Sequence, residues 1–200
     1  MSTRKQFNMV LDLDQTLISS EEWGEEELEN NKEKAKKFDF HSMDGYYTVF
    51  ERPKLQPFLD YLFDNFNVSV WTAASKDYAL FIVDKIIQSK PNRHLDWIFF
   101  SYHCNISKKK KGGTKDLSML WDEYKLPDFS KNNTVILDDY DEVHETQPGN
   151  CIIAAPFEFT NDGSEHDNYL IKLQNSLSKM KDERPAEEVN NSLGLTSGTS

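Results

Sequence analysis

Two carboxylates one residue apart end the first apolar run of the chain: Asp12 and Asp14, in Asp12-Leu13-Asp14-Gln15-Thr16. A second pair, Asp138-Asp139, ends the run Thr134–Leu137, and Thr72 ends Val68–Trp71. Carboxylates can attack an electrophile, carry a proton or hold a hard cation, and a hydroxyl can hold an anionic oxygen. Two carboxylates at the end of a buried strand need partners, because an unpaired buried charge is costly. The plain alternatives are an acidic strand-to-loop junction at Asp12 and Asp14 and a helix cap at Asp138-Asp139.

The elements that must carry these residues are legible as short apolar runs. Phe7–Leu13, Val68–Trp71, Trp97–Phe100, Thr134–Leu137 and Cys151–Ala155 have strand length and composition. Between them, Pro53 opens a helix with Leu55, Phe58, Leu59, Leu62, Phe63 and Phe66 at helical spacing. Ser75 is placed to cap a helix carrying Tyr78, Ile82 and Ile86. Leu117, Leu120, Trp121 and Tyr124 mark another, and Tyr169, Leu170, Leu173, Leu177 and Met180 a last. Strands alternating with helices imply an α/β fold with a parallel sheet flanked by helices. Ligands of such sheets collect beyond the carboxyl ends of the strands, where all the residues named above fall. Phe38–Phe50 alternates about Asp44-Gly45 and reads as a small antiparallel hairpin. Ser19–Lys37 reads as a solvated loop or short helix, and Ser107–Gly113 as an irregular basic loop. Beyond about Lys181 the chain is polar and aperiodic, so one domain over residues 1–181 and a disordered tail over 182–200 are expected.

Charge and composition narrow the function. The net charge of −11 sits mostly in six glutamates between Glu21 and Glu29 and four acids from Asp182 onward, leaving a body near neutrality. No basic face announces a nucleic-acid partner. Cys104 and Cys151 are too few for a disulfide framework or a four-cysteine metal site, and are expected as buried thiols. The histidines show no zinc spacing, and no Gly-Lys-Ser/Thr marks a phosphate loop. The polar start and short apolar runs predict a soluble cytoplasmic or nuclear chain, neither secreted nor membrane-bound.

Asp12-Leu13-Asp14-Gln15-Thr16-Leu17 resembles the first motif of the haloacid-dehalogenase superfamily. Val70-Trp71-Thr72-Ala73-Ala74 resembles the second motif of its Fcp/Scp branch, also called NLI-interacting-factor-like, whose members act on the C-terminal domain of RNA polymerase II. Thr114-Lys115-Asp116-Leu117 resembles the third motif of the branch, Val135-Ile136-Leu137-Asp138-Asp139 the fourth, and Glu51-Arg52-Pro53 the lead-in to the second. The resemblance covers roughly residues 7–180, with all four motifs in order.

It implies a Rossmann-like haloacid-dehalogenase core and a phosphatase acting on phosphoserine or phosphothreonine in a protein or peptide. Attack by a carboxylate on a phosphate dianion meets repulsion of about 4 kcal/mol per charge pair at ~4 Å, so positive charge must be supplied. By resemblance Asp12 attacks phosphorus to form an aspartyl phosphate, and Asp14 is the general acid and base. Thr72 then holds a phosphoryl oxygen and Lys115 offsets charge. Mg2+ is expected on the Asp12 carboxylate, the Asp14 carbonyl and the fourth-motif pair, with Asp139 as ligand and Asp138 as support, or the roles shared. The aromatics Phe38, Phe40, Tyr46 and Tyr47 would line an apolar substrate pocket or pack as hairpin core.

Departures bear on substrate. Tyr140-Asp141 stands where the branch has Ser-Pro, and Ser101 where it has an arginine that meets peptide. The run Lys108–Lys111 either supplies charge near the site or is a solvated loop. The length matches the compact Scp-like form, which also occurs in large DNA viruses. Two readings compete: a phosphatase for a nucleic-acid end or small metabolite, and an inactive binding module. The inactive module would be free to lose Asp12, Asp14 and Lys115, and all three are present.

Overall fold

Alternation of apolar side chains, two residues per repeat, decides how the strands sit in the computed structural model, which describes residues 3–179 and 185–196. The chain runs β1 (Asn8–Leu11), β2 (Ile18–Glu21), α1 (Glu25–Asn30), α2 (Lys32–Ala35), β3 (Phe40–Met43), β4 (Tyr47–Glu51), α3 (Leu55–Asn65) and β5 (Asn67–Trp71). It continues through α4 (Lys76–Ile82), β6 (Ile98–Phe99), α5 (Ser101–Lys111), β7 (Thr134–Asp138), α6 (Asp141–Thr146), β8 (Cys151–Ile153), α7 (Tyr169–Ser178) and α8 (Pro185–Leu193). Wider π-type turns span Val83–Ile87 and Met119–Glu123.

Five strands form a parallel sheet in the order β6-β5-β1-β7-β8, as the α/β reading requires. On one face Met9, Leu11, Val68, Val70, Val135 and Leu137 pack with α3, α7 and α8. On the other face Val10, Trp71 and Ile136 pack with Cys104, Leu117, Leu120 and Val143. The strand order reverses at β1, which makes the carboxyl ends of β1 and β7 the natural ligand crevice.

A separate antiparallel sheet has the order β2-β4-β3. The expected hairpin supplies β3 and β4, with Asp44 and Gly45 both at positive φ in the turn. Its third strand, β2, lies in the segment read as loop. A strand this short, with Ile18 its sole large apolar residue, shows no alternation, and pairing with β4 makes it a strand. Phe38, Phe50, Phe157 and Phe159 fill the space beneath, Phe50 and Phe159 stacking at 3.6 Å between ring centroids.

Two further expectations are corrected. The basic run Lys108–Lys111 is the last turn of helix α5, not an irregular loop. Cations there complement the helix dipole, Gly112 closes the helix at φ +87°, and Lys110 and Lys111 pair with Glu123 and Asp122. The expected tail holds helix α8, which packs on β8 through Ala186 and Val189. Asn190 accepts from the Ile153 N–H and donates to the Cys151 carbonyl, satisfying the open edge of the sheet. The rest of that expectation, at 182–184 and 197–200, lies outside the described residues, as does Met180. Cys104 and Cys151 are buried free thiols, as expected. Among the described residues no helix is long and apolar enough to cross a membrane.

Candidate active site

Strand register brings the first and fourth motifs together. Leu11 pairs with Leu137, so Asp12 and Asp138 follow as neighbours at adjacent strand ends. Each comes two residues after an apolar partner on one face, Val10 and Ile136, so both acids turn to that face. Both are buried, Asp12 at 5% and Asp138 at 2% relative exposure. Repulsion between them is answered by Lys115, whose Nζ donates to Asp12 Oδ1 and Asp138 Oδ2 at 2.7 Å each. Burial alone would lower the lysine's pKa, but the two carboxylates outweigh it and hold the group above the ordinary lysine value, as a cation.

The Lys115 backbone is gripped on both sides. Ser107 donates to the Gly113 carbonyl at 2.6 Å and accepts from the Asp116 N–H. Glu142 accepts from the Thr114 N–H, while Gln147 donates to the Lys115 carbonyl and accepts from the Leu117 N–H. The Asp12 loop is equally fixed. Gln15 adopts φ +62°, strained for a non-glycine residue, and is held by bonds from its N–H to Ile18 and from the Phe157 N–H to its carbonyl. Arg52, buried under Tyr169, forks onto Asp167 and donates to the Thr16 carbonyl at 2.9 Å. Thr16 Oγ1 lies 2.8 Å from Asp12 Oδ2 and 3.2 Å from Asp139 Oδ1.

Thr72 is buried at the end of β5, and its oxygen accepts from the Ala74 N–H. Its hydroxyl proton has no acceptor among the described residues. Asp14, half-buried, accepts from the Tyr78 hydroxyl at 2.5 Å. Burial, joined by repulsion from Asp12, pushes the Asp14 carboxyl up to about 6 despite that bond. The same causes raise Asp138 to about 6 and Asp139 to about 7.

Oxygens of Asp12, Asp138 and Asp139 lie within 4.8 Å of one another, an all-oxygen donor set suited to a hard divalent cation. With Asp14 nearby, one ammonium among the described residues, that of Lys115, faces four carboxyls, and a bound cation would offset the remainder. Asp138 spends its oxygens on Lys115 and the Tyr140 N–H. Asp139 accepts from Thr16 Oγ1 and otherwise lies against the Asp12 carboxyl, with no cation of the chain on it among the described residues.

The hairpin aromatics do not act as a group. Phe38 takes the core alternative, packed in the aromatic cluster. Phe40 lies against Phe50, and Tyr46 is 76% exposed at the turn. Tyr47 alone of the four lines a cavity of about 350 Å³ beside Asp14, with Ser20, Met43, Ala74, Ser75 and Tyr78. A larger cleft of about 990 Å³ lies around Asn133, Gln147 and Asn150, towards the opposite ends of β7 and β8. Ser101 starts α5, and its N–H donates to the Ala74 carbonyl at the rim of the Thr72 loop.

Sequence reasoning passed over Thr16, Arg52 with Asp167, Gln147 and Tyr78 as parts of the site. Thr16 stood within the first motif and could have been found there. Tyr78 fell on the apolar stripe of a helix and gave no signal of its own.

The profile of the NLI interacting factor-like phosphatase family matches residues 7–189. The CTD phosphatase-like protein 355R of Invertebrate iridescent virus 6 is 48% identical over 177 residues, 86% of this chain and 97% of that protein. Its namesake in Invertebrate iridescent virus 3 is 40% identical over 193 residues, 90% of this chain and 100% of that protein. The structure of Fcp1, an essential RNA polymerase II CTD phosphatase, superposes with a TM-score of 0.56 at 20% identity, covering 98% of this chain and 55% of Fcp1. That likeness is one of fold.

Proposed function

The chain belongs to the NLI interacting factor-like phosphatase family, and from that premise we propose that it is a magnesium-dependent protein phosphatase. It removes phosphate from phosphoserine or phosphothreonine through an aspartyl phosphate on Asp12. The observation that carries this reading is the setting of Asp12: at the sheet's switch point, with one oxygen on Lys115 and the other on Thr16. A carboxylate so held is aimed at an incoming group and faces a cation that an approaching phosphate also needs.

In the first step a bond forms between Asp12 and phosphorus as the bond from phosphorus to the seryl or threonyl oxygen breaks. Asp14 gives that oxygen a proton, and Thr72 donates its free hydroxyl proton to a phosphoryl oxygen. Lys115 offsets the charge gathered between Asp12 and the phosphoryl group. In the second step water bonds to phosphorus, giving a proton to Asp14, as the bond from phosphorus to Asp12 breaks and frees phosphate and the carboxylate. Mg2+ would sit on Asp12, the Asp14 carbonyl and Asp139, supplying positive charge to the phosphoryl oxygens, while Asp138 keeps Lys115 in place. The cavity formed by Tyr47, Met43 and Tyr78 beside Asp14 suits an apolar residue or proline next to the phosphate. The likeness to viral CTD phosphatase-like proteins and to Fcp1, an RNA polymerase II CTD phosphatase, makes the polymerase C-terminal domain the first substrate to try.

The test is chemical trapping. The protein is mixed with a phosphorylated C-terminal-repeat peptide and Mg2+, quenched in acid and mapped by mass spectrometry. One phosphoryl group on Asp12, absent in chelator, is the expected result. Phosphate release with no Asp12 adduct in the wild type, and undiminished in Asp12→Asn, would overturn the assignment.

A further inference from the structure

A tyrosine outside every motif reaches the proton-carrying acid. Tyr78 sits in the first turn of α4, its own N–H tied to the Ser75 side chain that caps the helix. Its ring packs edge-on to Tyr47 at 6.3 Å between centroids. Its hydroxyl lies between Asp14 Oδ1, at 2.5 Å, and the Ser20 hydroxyl of β2. A tyrosine hydroxyl has one proton to give, and of its two neighbours the carboxyl is the stronger acceptor. Tyr78 therefore donates to Asp14, and Ser20 donates to Tyr78.

We propose that Tyr78 is a positioning residue for the general acid: its bond to Asp14 Oδ1 fixes the carboxyl plane and leaves Oδ2 as the oxygen that exchanges the proton with the leaving group. The inference rests on the proposed phosphatase reading and adds to it the device that orients Asp14. Without the bond, the Asp14 carboxyl can turn about its side-chain torsions, and proton delivery loses part of its orientation advantage. Ser20 fixes the Tyr78 hydroxyl in turn, so the small sheet and α4 both take part in aiming one carboxyl.

The test compares leaving groups of similar size and different need for a proton. Single-turnover phosphoenzyme formation is measured on p-nitrophenyl phosphate and phenyl phosphate with the full chain and Mg2+. Tyr78→Phe removes only the hydroxyl. It is expected to slow the phenyl ester on the order of tenfold and the nitrophenyl ester by less than about threefold, a part of what general acid catalysis supplies. Ser20→Ala, which leaves the ring in place, should show the same split more weakly, and it decides the matter if Tyr78→Phe does not fold. Equal loss on both esters, or loss on neither, overturns the proposal, since a structural defect does not sort leaving groups. Asp12→Asn runs alongside. If it still forms phosphoenzyme, the phosphatase reading itself falls, whereas an Asp12-dependent enzyme indifferent to Tyr78→Phe overturns this inference alone.

Discussion

The two sheets of this protein meet the substrate side in opposite ways. At the carboxyl end of the parallel sheet, Asp12, Asp138 and Lys115 are buried and bonded to one another, and the loops beneath them are clamped by Arg52, Glu142 and Gln147. On the antiparallel sheet, Tyr46 stands in solvent, Phe40 is exposed, and Ser20, Met43 and Tyr47 line the open cavity. The first region spends burial and pairing on fixing charges; the second spends little and leaves apolar surface available. Chemistry that opposes like charges needs fixed dipoles and cations, whereas recognition of a peptide needs surface that a partner can cover. A change in the first region should therefore damage reaction or stability outright, and most changes in the second should alter affinity.

The sharpest break is Asp12→Asn. Turnover is expected to fall by on the order of 10⁴-fold or more while thermal unfolding shows a folded protein. Substantial turnover in that variant would remove the reason for treating the carboxyl end of the parallel sheet as the reacting centre. Next is Lys115→Met, which leaves Asp12 and Asp138 buried without a counter-charge. Urea unfolding should show a loss of about 3–5 kcal/mol, and an unchanged midpoint would mean that the ion network does not organise the fold.

Phe38→Ala tests the opposite boundary, since the aromatic cluster makes this residue core although it lies beside the small sheet. About 3 kcal/mol of stability should be lost, with KM for a peptide little changed in the folded fraction. Added Mg2+ should stabilise the protein by about 2.7 kcal/mol at a hundredfold excess over Kd, read as a rise in melting temperature. Asp139→Asn should shrink that rise, and a full rise in the variant would remove Asp139 from the ligand set.

The smallest effects belong to the cavity. Tyr47→Ala should raise KM for a phosphoserine-proline peptide about tenfold, worth about 1.4 kcal/mol, and leave p-nitrophenyl phosphate hydrolysis nearly unchanged. Tyr46→Ala should stay within about 0.5 kcal/mol in both stability and binding. Equal effects of the two substitutions would show that the cavity beside Asp14 does not choose the substrate.

Much of this was legible in the order of residues. Apolar runs of strand length, separated by helical stripes, specify a parallel α/β sheet, because both repeats follow from local backbone geometry. The acids and threonine at three strand ends were visible for the same reason, and the four motifs through their resemblance to those of a known family. Segments without periodicity were not. The lysines of α5 look like loop until the helix end, Glu123 and Asp122 are seen to receive them. The helix α8 gains its place from Ala186 and Val189 in the core and from Asn190 on the sheet edge, contacts made with residues far back in the chain.

What the sequence alone determined is which residues can do chemistry and that strands deliver several of them to one edge. Tertiary structure decided which of them touch. Lys115 meets Asp12 across 103 positions, because β1 and β7 are neighbours in the sheet and one loop returns over both. It also decided that Phe38 is core and Tyr47 is cavity wall, and that Tyr78, packed against the core, reaches Asp14 with its hydroxyl. Local propensity fixes the face on which a side chain emerges; the neighbour it finds there depends on strand order and on how two sheets dock. Those are set by non-local burial that no short window of sequence contains.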